Sequence, residues 1–283
     1  MLMELDHILT SAVYIVACLA VFIVGHKSFL FFRRDYDIAN ELVEKDNCAL
    51  ALTLSGYYLG LIIAIGGLIA GPSVGLSEDL MDFAIYGPLI IILLYVSSRI
   101  NDNFILSRFE IKKEIIEDQN CGTGAVEFAV YVASGLNIYG AVYGLGGSVL
   151  TTLAFWAMGQ AVLVGLGKYY NSIVSYDVHE HIEKDNVAVG VAFAGAIIAI
   201  GNLLRAASSE HFVSWTENLE IFAGFMILGL ILLPVSRLLT DRILLPGRSL
   251  CDELVGQEKP NLGAGFLEAS SYIGSSFLIS WCL

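Results

Sequence analysis

The chain has 283 residues, of which 56% are apolar and only 15% charged, and its mean hydropathy is +0.71. Soluble domains carry close to a quarter charged residues, so this composition argues against a water-soluble enzyme. At about 20 residues per crossing, eight spans fill the length and leave no room for a separate soluble catalytic domain. A net charge of −13 offers no basic face to neutralise phosphates, which argues against nucleic acid as a partner.

The first apolar stretch, 8–31, follows a leader that carries Glu4 and Asp6 and no Lys or Arg. Its positive charges (Lys27, Arg33 and Arg34) come at the far end, so it reads as an uncleaved span with the amino terminus outside rather than a signal peptide. Further apolar stretches follow at 48–70, 81–98, 122–143, 148–167, 187–205, 218–236 and 262–282. Each approaches the length that crosses about 30 Å of hydrocarbon at about 1.5 Å per residue. Pro88 and Pro234 fall inside two of them, where kinks are expected.

Of the 15 Lys and Arg residues, all but Arg205 lie in the loops that follow odd-numbered spans. Orientation follows Lys and Arg rather than net charge, so those loops are expected in the cytoplasm and both termini outside. The fold class expected is an all-α integral membrane protein with eight transmembrane helices, and its first partner is the lipid bilayer.

The spans repeat. Glu44-Lys45-Asp46-Asn47 recurs as Glu183-Lys184-Asp185-Asn186, each after a Tyr-Asp pair. Asn120-Cys121-Gly122-Thr123-Gly124-Ala125-Val126-Glu127 recurs as Asn261-Leu262-Gly263-Ala264-Gly265-Phe266-Leu267-Glu268, and Ser98-Arg99 as Ser236-Arg237. Two tandem four-helix repeats result, 1–147 and 148–283. A finer period lies beneath, because Tyr36 to Asn47 aligns without gaps to Phe109 to Asn120. The unit is two spans joined by an amphipathic connector ending in Asn, used four times. An even number of spans per unit keeps every copy in one orientation, which predicts a parallel repeat about an axis along the membrane normal. Ile38, Leu42 and Val43 in one connector, and Ile111, Ile115 and Ile116 in the next, form apolar stripes able to lie in the cytoplasmic interface or to dock against the bundle.

This pattern resembles the YjfL-type family of bacterial inner-membrane proteins (domain of unknown function 350), in two tandem copies covering essentially the whole chain. The resemblance implies an integral protein of the bacterial cytoplasmic membrane. It brings no activity and no catalytic residues. Its grouping with phage-shock-type proteins raises a membrane-stress role as one expectation.

Among individual residues, Glu127 and Glu268 stand out. Each lies seven residues past its Asn, about 10 Å into the helix by rise, where a charge is costly and usually faces the bundle interior or a wet cavity. Glu127, Tyr131 and Ser134 stand at i, i+4 and i+7 on one helix face, and Glu268, Tyr272 and Ser275 repeat it. The other two units have Leu54 and Phe193 at the same register. Three readings stay open: a protonated, hydrogen-bonded carboxyl, an ion pair with Arg99 or Arg237, or a site for a proton or cation in transit.

Gly122, Gly124, Gly263 and Gly265 before each Glu suit either a fraying helix start around a ligand or close helix approach. Gly56-x-x-x-Gly60 and Gly140-x-x-x-Gly144 read as packing. Asn47, Asn120, Asn186 and Asn261 read as helix N-caps in preference to a selectivity ring. Asn137, Gln160 and Asn202 read as interhelical hydrogen bonds. His179-Glu180-His181 lacks a third ligand and reads as a solvated connector. The five cysteines form no C-x-x-C and read as reduced thiols. No metal or cofactor is expected, and no Walker, HExxH or GxSxG motif is present.

Two functions compete: a channel or transporter-like protein moving a small solute or ion through Glu127 and Glu268, and a non-transporting membrane-stress or scaffold component whose acidic connectors recruit a peripheral cytoplasmic protein. No nucleophile–base set converges to suggest an enzyme.

Overall fold

The structure is a computed structural model; it describes residues 2–34, 36–245 and 247–283, with side chains from residue 8 onward. The side chains of Glu4 and Asp6 therefore lie outside the described residues. Among the described residues eight long helices overlap the predicted apolar stretches: α1 (Leu2–Phe32), α2 (Cys48–Ala70), α3 (Leu76–Phe104), α4 (Cys121–Val142), α5 (Val149–Ile173), α7 (Val187–Ser208), α8 (Trp215–Leu239) and α9 (Leu262–Cys282). A short α6 (Val178–Glu183) fills the connector between α5 and α7. No strand occurs among the described residues.

Seven of these helices are long and apolar enough to cross a membrane. α9 is not among the seven, although its 21 residues give it the length. Its Gly, Ser and Glu268 content dilutes the apolar signal that the sequence reading had extended to an eighth span. α3 and α8 run unbroken through Pro88 and Pro234, and both reach beyond the expected stretches 81–98 and 218–236.

The helices sort into two layers. α2, α4, α7 and α9, the second helix of each unit, pack successively in a row, and these are the most extensive contacts in the molecule. α1, α3, α5 and α8 follow one another against that row. Lipid offers no hydrophobic drive for one helix to leave it for another, so close packing of small residues has to hold such a row. Glycine makes that approach possible here. A Cβ added at Gly56 would sit 2.4 Å from the Phe128 backbone, one at Gly60 2.3 Å from the Tyr131 carbonyl, and one at Gly190 2.6 Å from Gly122. Gly140 packs likewise on Arg205 of α7, whereas Gly144 lies past the helix end in a turn with φ +94°.

The connectors end in the same way. In three units the residue before the Asn adopts a left-handed φ: Asp46 at 50°, Gln119 at 53° and Asp185 at 61°. Single π-helical turns, Asn40–Glu44 and Lys113–Glu117, precede two of them. The Asn47 N–H closes back on the Glu41 carbonyl and that of Asn120 on Glu114, a helix-ending loop one residue wider than the usual Schellman closure. In the fourth unit Pro260 occupies this position. Proline is fixed near φ −65°, so the left-handed turn is unavailable and the chain reaches Asn261 by a longer path.

The connectors dock against the bundle. Ile111 and Ile115 are buried, Ile38, Leu42 and Ile116 pack on the core, and only Val43 faces outward.

Candidate functional site

Each inner helix starts on its Asn. The side-chain oxygens of Asn47, Asn120, Asn186 and Asn261 accept from the backbone N–H three residues on, at 3.0, 3.0, 3.1 and 3.3 Å, which satisfies one of the free N–H groups of a helix start. The amide nitrogens reach further. Asn47 donates to the Ile115 carbonyl of the next unit at 2.8 Å, Asn120 to Ile182 at 2.6 Å, and Asn186 to Leu254 at 2.8 Å. Asn47, Asn120 and Asn261 also donate to a carboxylate on their own connector, Glu41, Glu114 and Glu253. These three acids are buried and repeat with the unit, though only the Asn had been singled out from the sequence. The Lys45 ammonium, 2.6 Å away, holds the Glu41 carboxyl below its usual range. Burial instead pushes Glu114 up.

Glu127 and Glu268 are both fully buried, one on α4 and the other on α9, with α7 standing between those helices in the row. They are two sites rather than one, and their surroundings differ.

Around Glu268, the Arg237 guanidinium from α8 donates at 2.5 Å, the Tyr272 hydroxyl at 2.9 Å and the Tyr170 hydroxyl at 3.4 Å. All three bonds fall on Oε1, and Oε2 has no partner among the described residues. Ser275 is half-buried, and its neighbour Ser276 accepts from Asn202 of α7 at 3.2 Å.

Around Glu127 no such cage forms. Among the described residues no N–H or hydroxyl donor reaches either of its carboxylate oxygens. Tyr131, one turn on, donates to Ser98 at 3.0 Å, and Ser134 accepts from Asn101 at 3.3 Å. The shared face thus exists, but Tyr131 and Ser134 bond to α3 rather than to the Glu. Arg99, a candidate ion-pair partner in one of the three readings, is half exposed and lies 3.7 Å from Asp102. The charges that reach Glu127 are Asp102 of α3, within hydrogen-bonding distance of the carboxyl, Arg33 just past α1 and, more weakly, Arg99. Asp102 and Arg33 also line a hollow of about 520 Å³ at the connector end, together with Arg34, Arg99 and Glu110. Asp102 escaped the sequence reading because its counterpart by the Ser98-Arg99 to Ser236-Arg237 match is Thr240, so it is absent from the repeat signal. Arg33 escaped because it was counted only as an orientation charge.

Of the glycines before each Glu, Gly122 packs on Gly190, Gly124 on Ala49 and Gly265 on Ala188, while Gly263 is exposed. Asn137 bonds to Trp156, and both polar atoms of Gln160 are buried without a partner among the described residues. His179 bonds to the Ile105 carbonyl, His181 sits edge-on to Tyr176, and no metal-holding group of three occurs among the described residues.

At 22% identity the chain is similar to a UPF0719 transmembrane protein of Aquifex aeolicus (strain VF5), over 92% of this chain and 96% of that protein. It is also similar to the UPF0719 transmembrane protein YshE of Bacillus subtilis (strain 168), 25% identical over 127 residues, which make up 45% of this chain and 88% of that relative. No solved structure matches. The model of DUF350, Domain of Unknown Function, matches residues 3–142 and again 144–283. With both matches together spanning nearly its whole length, the chain belongs to the DUF350 family and carries two tandem copies of its domain.

Proposed function

We propose that this is an eight-pass protein of the bacterial inner membrane, with both termini outside, that moves a small ion or solute in step with a proton held between Asp102 and Glu127. The observation that carries this reading is the uncaged Glu127 carboxyl, buried without a donor yet beside an acid that opens on a hollow at the connector end. Two carboxylates can bond to each other only through a shared proton. Asp102 is placed to pass that proton to water in the hollow, and Arg33 to stabilise the charge left behind. Buried acids of this kind inside a helix bundle are typical of proton relays and ion pathways.

Glu268, caged by Arg237 and two tyrosines, serves as the structural copy. A second hollow of about 170 Å³, lined by Asp79, Asp82, Tyr86 and Glu210, lies at the opposite end. It includes Val142, about 22 Å along α4 from Glu127 by helical rise. Between them runs the glycine-packed stretch of Gly60 and Gly135, so passage requires the inner helices to shift past each other.

The test is ion and proton flux in proteoliposomes under an imposed pH gradient. Asp102→Asn and Glu127→Gln are expected to abolish proton-linked flux, while Glu268→Gln retains it in the fraction that folds. Equal flux in wild type and Glu127→Gln would remove the proposal.

The tight glycine seams favour a second reading, a scaffold whose acidic connectors recruit a peripheral cytoplasmic protein. Capture of one such protein by the intact chain, lost when Glu117 and Asp118 are replaced, together with absence of flux, would select that reading.

A further inference from the structure

The three seams of the inner row are built alike. Counted from each Asn, the second residue of one unit packs against the fourth residue of the next: Ala49 on Gly124, Gly122 on Gly190, Ala188 on Gly265. At the ninth and thirteenth positions the same face stays small, as Gly56 and Gly60, Ala129 and Ala133, Gly195 and Ala199. Gly56, Gly60, Ala133 and Gly195 touch the following helix there. Each seam is then locked at the connector end by the Asn amide on the next unit's carbonyl.

The fourth unit keeps this face with none of the described residues packed on it. Gly263, Ser270 and Gly274 occupy the second, ninth and thirteenth positions of α9, and all three are exposed. A Cβ at Gly274 would meet nothing within 4 Å, against 2.3 Å at the equivalent Gly60. Asn261 is exposed, whereas Asn47, Asn120 and Asn186 are buried under a following unit. At the other end of the row, the face of α2 that corresponds to the receiving face of α4 is bare as well: Ala51, Ser55, Leu59 and Ile62 stand at the register of Gly124, Phe128, Val132 and Gly135, and all four are exposed. Leu42 stands where Ile115 accepts the Asn47 amide.

One end of the molecule therefore carries the giving half of a seam it uses three times, and the other end carries the receiving half. We propose that a second copy of this chain docks head-to-tail at this seam, α9 of one copy on α2 of the next, with Asn261 donating to the Leu42 carbonyl across the junction. Parallel units keep both copies in the same orientation, as one membrane requires. A repeated head-to-tail contact either closes into a ring or runs on as an open chain. Residues of all four inner helices, among them Leu52, Phe128, Val191 and Phe266, line one apolar hollow of about 360 Å³, so the row is concave on one side, a curvature that favours a ring over an open chain. This holds whether or not anything is transported.

The test uses the full chain in native membranes. Gly263→Cys with Ala51→Cys, with the five native cysteines replaced by serine, is expected to crosslink into multiples of the chain mass. Gly263→Cys with Ile62→Cys, about 16 Å further along α2 by helical rise, should not. Independently, Gly274→Leu in the native background is expected to fold, since the side chain enters open space, and to lose the multimer as seen by detergent-corrected light scattering. A wild-type chain that runs as a single copy when extracted in lipid nanodiscs would overturn the proposal. So would a multimer indifferent to Gly274→Leu, or a seam occupied by a different protein in the purified complex.

Discussion

Glu127 and Glu268 share a register, a preceding Asn-x-Gly-x-Gly and a following Tyr, yet the two halves treat them in opposite ways. In the second half the Arg237 guanidinium swings inward from α8 and is only 13% exposed at its side chain. In the first half Arg99, at the same register on α3, turns outward over Tyr95 at 46% exposure, and an acid, Asp102, takes the inward direction. Duplication copied the carboxyl, while its counter-charges diverged. A repeated residue is thus a statement about helix register, and the partner that decides its chemistry has to be found in three dimensions.

The largest effect expected from this difference is on stability. Arg237→Ala leaves the fully buried Glu268 without its cation, and breaking a buried pair from one side costs about 3–5 kcal/mol. The denaturation midpoint in detergent should fall accordingly, and the double variant Arg237→Met with Glu268→Met should recover most of the loss. Arg99→Ala should move the midpoint by no more than about 1 kcal/mol, the range of exposed pairs. Equal losses for the two arginines would erase the distinction between the halves.

Packing sharpens the comparison next. Gly60→Ala drives a methyl into the Tyr131 carbonyl at 2.3 Å, and overpacking of this kind costs about 1–3 kcal/mol. Gly274→Ala, at the same register of the fourth unit, should stay within about 0.5 kcal/mol in single chains dispersed by detergent, where no second copy covers α9, read by the same midpoint.

The Asn caps give a smaller contrast. Asn120→Ala removes a cap worth about 1 kcal/mol and also strands the buried Glu114 carboxyl and the Ile182 carbonyl. In single chains dispersed by detergent, Asn261→Ala removes the cap and one bond to Glu253 at an exposed site. The first should therefore cost more than the second in thermal melts, and a reversed order would mean that the bonds from one unit to the next contribute little.

Much of this architecture was legible beforehand, because it rests on patterns a linear sequence carries. Apolar runs gave eight helices, the recurrent Asn gave four helix starts, and matched strings gave the duplication. The sorting into inner and outer layers was present but unread: inner helices begin with Ala or Gly at the second and fourth positions after Asn, whereas the outer helices carry the bulk of the exposed large apolar side chains. Arg33 and Asp102 were beyond reach, since each comes from a different helix end and neither recurs. The fourth connector departs from the others for a reason visible in one residue, Pro260, whose fixed φ forbids the left-handed turn made by Asp46, Gln119 and Asp185.

The connector acids offer the smallest and most local test. Glu41 and Glu114 align in the repeat, and each holds the Asn amide that starts the next helix. Lys45 beside Glu41 lowers that carboxyl's proton affinity in the folded state, so its contribution is present above the unfolded carboxyl range and disappears as pH falls through the folded value. Glu114 lacks so close a cation and burial raises its affinity; its ionisation weakens the fold as pH rises from the unfolded carboxyl range through the folded value. Glu41→Gln should therefore flatten the loss of thermal stability as pH falls below about 4.3, the unperturbed Glu value, whereas Glu114→Gln should remove a decline that sets in as pH rises above it. If both variants shift the acid limb in the same direction, the two connectors are electrostatically equivalent and the asymmetry between units is confined to the buried Glu sites.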